Sequence, residues 1–284
     1  MSAVASGSAP PAPIQGSSSS GNGSSLAVGA QMFGADFLKL RKKRGTLILV
    51  LVLALAPIVI AFTITAIQHA SDPSKYGPAG GIDSFHDGLR LLGGLLFGPL
   101  VAILIGVEAG TNDTSAGVFR DLVVTGRSRL ALFASRVPAA LLLCWIVLSL
   151  GYILVLIGTF VFAGGLETPT GAEALNGFGF MLLATGVLCV VAVGFASLTT
   201  SKPAAITALI AWQVIASPLI SSVGSLGGVR RIILSQALSH FSPITLDGHA
   251  TNLSMSSPTA IAVILGWLLV FLALGAWRTR TMDA

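Results

Sequence analysis

Residues 108–136 read EAGTNDTSAGVFRDLVVTGRSRLALFASR, the longest polar segment caught between two apolar runs. Four arginines (Arg120, Arg127, Arg129 and Arg136) fall within it. Drawn as a helix, 115–125 sets Val118, Phe119, Leu122 and Val123 on one face, with the i, i+3, i+4 spacing of an amphipathic helix. Gly117, Arg120, Asp121 and Val124 fall on the other face, where Val124 meets water unless a partner covers it. Two readings stand side by side. The arginines fix topology as a basic loop between membrane spans, or a short helix held between two spans receives a push from a soluble partner.

Outward from this segment, charge becomes scarce. Of 284 residues, 54% are hydrophobic and 10% charged, against about 25% charged in an ordinary soluble chain. Mean hydropathy is +0.88. No charge occurs between Arg136 and Glu167, Glu173 and Lys202, Lys202 and Arg230, or Asp247 and Arg278. Each interval exceeds the roughly 20 residues that cross a bilayer as a helix. The composition therefore excludes a water-soluble domain and implies an all-α membrane protein in contact with a lipid bilayer. The net charge of +5 is no nucleic-acid signal, because its basic residues cluster at span ends and no soluble domain carries a basic face. Cys144 and Cys189 lie inside apolar runs and form no disulfide framework.

Six spans are predicted, at about 46–67, 89–107, 137–163, 175–198, 204–223 and 258–277. Residues 1–29, rich in Ser, Gly, Ala and Pro and without charge, are expected to be a disordered tail. Residues 30–45 carry Met32, Phe33, Phe37 and Leu40 at helical spacing, with Lys39, Arg41, Lys42, Lys43 and Arg44 after them. This pattern predicts an amphipathic helix at the membrane interface. Residues 46–280 then form the six-span domain. The segment 224–257 is too long for a simple connection, and its short apolar core (Ile232, Ile233, Leu234, Ala237, Leu238) predicts a re-entrant or interfacial piece.

Orientation follows from the cations. With a cytoplasmic N-terminus, Lys39, Arg41, Lys42, Lys43, Arg44, Arg120, Arg127, Arg129, Arg136, Lys202, Arg278 and Arg280 fall inside. Only Lys75, Arg90, Arg230 and Arg231 fall outside. The asymmetry predicts both termini in the cytoplasm of a multi-pass protein of the cell's inner (plasma) membrane.

Several chemistries lack their residues. None of the five lysines follows a glycine, so no phosphate-cradling GxxxxGK[ST] loop can form. HExxH, CxxC and GxSxG are absent. No ionisable residue lies near the middle of a predicted span, where pumps and secondary transporters keep ion sites. A transporter of this composition needs an outside source of energy. His69, His86, His240 and His249 all fall on the predicted outer side at spacings that match no metal-ligand pattern, so no metal site is expected.

The segment GVFRDLVVTGRSRLALFASR resembles the connection between the second and third spans of ABC-2 type permeases, the membrane subunits of ABC exporters. Their pattern is an acidic residue, then Gly-Thr-x-Arg-x-Leu-Leu, then Ser-Arg. Asp113 stands for the acid, Gly117, Arg120, Leu122 and Val123 fill the middle, and Ser128 and Arg129 close it. Val118 replaces the usual threonine and Val123 the second leucine. The basic helix before the first span, with Phe37, Lys39 and Arg41, and the outer segment between the last two spans fit the same family. The resemblance implies a cytoplasmic coupling helix that docks on a separate ATPase subunit, with Val124 as a knob and Arg120 as a polar anchor. It also implies two permease copies and two ATPases per exporter, ATP and magnesium bound on the partner, and no enzymatic activity or cofactor in this chain. An alternative reading is a membrane-embedded enzyme built on outer-side groups such as His86 and Asp87. A passive membrane scaffold is the third.

Overall fold

The computed structural model describes residues 25–115, 128–199, 201–244 and 255–281, and every regular element among them is helical. Among the described residues six helices are long and apolar enough to cross a membrane. A first helix, α1 (Ser25–Lys42), precedes them. Span one is α2 (Arg44–Ser71). Span two is broken: α3 (Ile82–Leu89) runs into a π turn (Arg90–Leu95), and α4 (Phe97–Ser115) continues beyond it. Span three is α5 (Arg129–Val161) and span four is α6 (Gly171–Leu198). Span five joins α7 (Lys202–Ala211), a π turn (Trp212–Ala216) and α8 (Ser217–Ser222). A 3-10 helix (Gly224–Ile232) and α9 (Leu234–Ser239) lead to span six, α10 (Ser257–Thr281).

Local chemistry sets the boundaries. Ser128 caps span three, its Oγ accepting the Ala131 N–H at 3.2 Å, so that helix begins eight residues before the apolar run that announces it. Thr170 and Glu173 form a reciprocal capping box at the start of span four. Ser201 caps span five, with Pro203 in the first turn, where its missing N–H costs nothing. The first helix starts at Ser25, inside the stretch expected to be tail. Residues 1–24 lie outside the described residues.

Span four is the hub, packed against spans two, three and six. Its seam with span two needs glycine. A Cβ on Gly106 would come within 2.6 Å of the Ala192 Cβ and the Cys189 carbonyl, and one on Gly110 within 2.8 Å of Val193 and Ala196 atoms. Gly106 and Gly110 are four residues apart on one helix face, the small-xxx-small spacing that lets membrane helices approach closely. The span-two break also depends on glycine, because a Cβ at Gly98 would overlap the Leu92 carbonyl oxygen.

The segment after span five does not cross. Leu234, Ala237 and Leu238 are buried, and α9 packs on span six. The Trp267 indole N–H donates to the Ile232 carbonyl at 2.9 Å. Trp267 lies ten residues into α10, about 15 Å along its axis. The segment thus folds back along span six, and Arg230, only 7% exposed, donates to the carbonyls of Ser221 and Gly227.

Candidate functional site

Most of the described lysines and arginines collect at one end of the bundle, the basic face. There lie the start of span one, the ends of spans two and six, and the starts of spans three and five. Its centre is Glu108, on span two and only 2% exposed. Sequence reading ends span two at Val107 and places Glu108 in a loop; the helix instead continues through the Gly106–Gly110 seam to Ser115. A carboxylate there is cut off from water and needs partners. Lys43, between α1 and span one, pairs with Oε1, and Lys202, in the first turn of span five, pairs with Oε2. Thr46 Oγ1 donates to Oε2 at 3.1 Å. Both lysines are partly exposed, so their stems cover the acid while their ammonium groups keep some water. One carboxylate thereby ties together spans one, two and five.

A second tie fixes α1. Asp36 accepts from Ser135 Oγ of span three at 2.6 Å and pairs with Lys39 at 3.2 Å. Phe37 stacks on Phe33 with ring centroids 6.4 Å apart, and both pack against the core. Arg41 is exposed. Arg136, expected at the edge of a loop, is 3% exposed on the inner side of span three. It lines a small cavity with Asp36, Leu40, Ala109 and Asn112. Arg129, in the first turn of span three, donates to the Arg280 carbonyl at the end of span six at 3.1 Å.

The expected site residues therefore divide. Ser128 and Arg129 sit at the head of span three, and Asp113 belongs to the last turns of α4. Gly117, Arg120, Leu122 and Val124 lie outside the described residues. So does the amphipathic helix expected over 115–125, save its first residue. Nothing in the sequence joins Glu108, Lys43 and Lys202, and both lysines there mark only topology. One signal pointed to the burial of Glu108: it lies inside Gly106-x-x-x-Gly110, a spacing that belongs in a packed span.

On the opposite face, Asp87 pairs with Arg90 one turn on, at 2.6 Å, and His69 Nδ1 is hydrogen-bonded to the Tyr76 carbonyl at 2.7 Å. Among the described residues no group of three or more His, Cys, Asp or Glu side chains is placed to hold a metal ion.

No curated protein shows a significant match to the chain. The family model for ABC-2 family transporter proteins matches residues 32–228, from within α1 to the 3-10 helix beyond span five. Six apolar helices, a basic helix ahead of them and a match over more than half of the sequence agree, and the chain belongs to the ABC-2 family of transporter membrane proteins.

Proposed function

We propose that this chain is the permease subunit of an ABC exporter, driven by a separate ATPase that docks on residues 116–127. ABC-2 family permeases generally work with such a partner, and this chain has no lysine in a phosphate-binding loop of its own. The observation that carries the reading is the bracing of both helices flanking that segment. Glu108 holds the end of span two to spans one and five, and Arg129 holds the head of span three to span six. A push delivered between them reaches five spans at once, which suits a coupling element better than a slack topological loop. Val124 then supplies an apolar knob for the partner's groove and Arg120 a polar anchor, with Asp113, Gly117, Leu122, Ser128 and Arg129 framing them. The helix α1 lies at the membrane interface, its Lys39 and Arg41 toward water. The basic face is cytoplasmic, which puts both termini inside the cell, and two copies of the chain form the path. ATP and magnesium belong to the partner.

The test is co-expression with a P-loop ATPase encoded beside this chain. The proposed function expects a stable complex in detergent and ATP-dependent movement of substrate away from the basic face in proteoliposomes. Activity of the isolated permease without any ATPase would contradict it.

A further inference from the structure

Span five has one inward stripe, Ala205, Leu209, Gln213 and Ser217, at every fourth residue. The two ends are buried, the two middle positions are half-buried, and residues 207, 208, 211, 212, 214 and 215 are exposed. Gln213 thus carries an amide toward the bundle near the middle of a 21-residue span. Beside it, the Trp212 ring meets Trp267 of span six, with centroids 5.8 Å apart. Trp267 stacks on Phe271 at 5.5 Å. The two tryptophans are each ten residues into their own helical spans, which enter from opposite faces. Both therefore lie about 15 Å deep, at the middle of a hydrocarbon core roughly 30 Å thick. Tryptophan ordinarily prefers the membrane–water interface.

Polar groups at that depth need partners. Ser217 finds Ser235 at 2.8 Å, and the Trp267 N–H finds the Ile232 carbonyl. Among the described residues, neither the Gln213 amide nor the Trp212 indole N–H makes a hydrogen bond. Both belong to a π turn, a distortion often found at functional sites. We propose that this aromatic cluster, where spans five and six meet, binds a planar apolar molecule bearing a hydrogen-bond acceptor. Resting on the permease reading, it is a station for the transported substrate. The Trp212 ring, 37% exposed, offers a flat apolar surface, and the Trp212 N–H and Gln213 amide supply two donors for the ligand's acceptor.

The experiment uses Nile red, a neutral planar dye with a carbonyl acceptor, and the full chain in lipid nanodiscs, with empty nanodiscs subtracted. Replacing Trp145 and Trp277 by phenylalanine leaves Trp212 and Trp267 as the energy-transfer donors. The expected result is saturable binding that Gln213→Leu weakens about tenfold, equivalent to 1.4 kcal/mol, at unchanged thermal midpoint. Measured by dye anisotropy with the other tryptophans in place, Trp212→Phe, which keeps a ring and loses the N–H, has the same effect. No saturable signal, or wild-type affinity in both variants, would overturn the proposal. So would a Gln213→Leu variant that shifts the monomer–dimer balance with dye affinity intact, since the amide would then serve contact between copies. ATPase co-purification is followed on the same proteins; failure of wild type to bind the ATPase counts against the permease reading and leaves the dye result to judge the aromatic cluster.

Discussion

Glu108 and Lys202 are 94 residues apart in sequence and form an ion pair across the basic face. The carboxylate that Lys202 holds by one oxygen is held by Lys43 through the other. The end of span two is therefore fastened to the start of span five and to the junction of α1 with span one. A carboxylate 2% exposed depends on both lysines, and each lysine alone leaves it with a remaining cation.

This arrangement predicts non-additivity. Lys43→Met and Lys202→Met should each cost little, because the apolar stem is kept and one ion pair survives. The double variant leaves a buried, unpaired carboxylate and should lose roughly 3–5 kcal/mol. Adding Glu108→Gln to the double variant should recover most of that loss. Thermal unfolding in a single detergent reads all four proteins; a double variant equal to the sum of two small losses would refute the shared role of Glu108.

The broken span two predicts a position-specific glycine requirement. At Gly98 a Cβ would overlap the Leu92 carbonyl oxygen, whereas Gly179 on span four has open space around it. Gly98→Ala should lower the unfolding midpoint sharply. Gly179→Ala should be neutral or gain up to about 1 kcal/mol from helix propensity. Equal midpoints for the two variants would mean that the break does not require glycine.

The seam of spans two and four should respond to size in the same way. Gly110→Leu drives a branched side chain into Val193 and Ala196, the atoms that a Cβ alone would already crowd. Overpacking of this kind typically costs about 1–3 kcal/mol. The loss should appear as reduced yield of monodisperse protein on size-exclusion chromatography, with wild-type yield from Leu175→Ala, a change at an exposed position.

If Glu108 relays the partner's motion, coupling and docking should separate. Glu108→Gln keeps shape and the Thr46 contact but gives up charge. The variant should still bind the ATPase, while transport per ATP hydrolysed falls roughly five-fold or more, within the usual range of coupling energies. Wild-type coupling in this variant would confine Glu108 to stability.

Six spans are legible in the sequence because uncharged runs longer than a bilayer thickness leave few other outcomes. Their ends are less so. Local pattern stops span two at Val107, since an acid followed by Asn112 and Asp113 looks like the edge of water. Only the arrival of Lys43 and Lys202 from distant segments makes a buried Glu108 tolerable, and such pairing leaves no periodic trace. Arg136 misleads in the same way: an arginine before an apolar run reads as a loop end, yet it points inward beneath α1. The role of Gln213 is equally silent, because one amide in an apolar run acquires meaning only when the π turn and Trp267 are placed beside it. The polar segment that organises the chain is readable in composition and family pattern, and its residues 116–127 lie outside the described structure.

Engagement of this segment by a separate ATPase is decided by Arg120→Glu. Drawn as a helix, the sequence 115–125 sets Arg120 opposite Val118, Phe119, Leu122 and Val123. The variant should insert into the membrane and elute from size exclusion as wild type does, yet lose co-purification with the ATPase encoded beside it. Normal co-purification of Arg120→Glu with that ATPase would contradict the assignment.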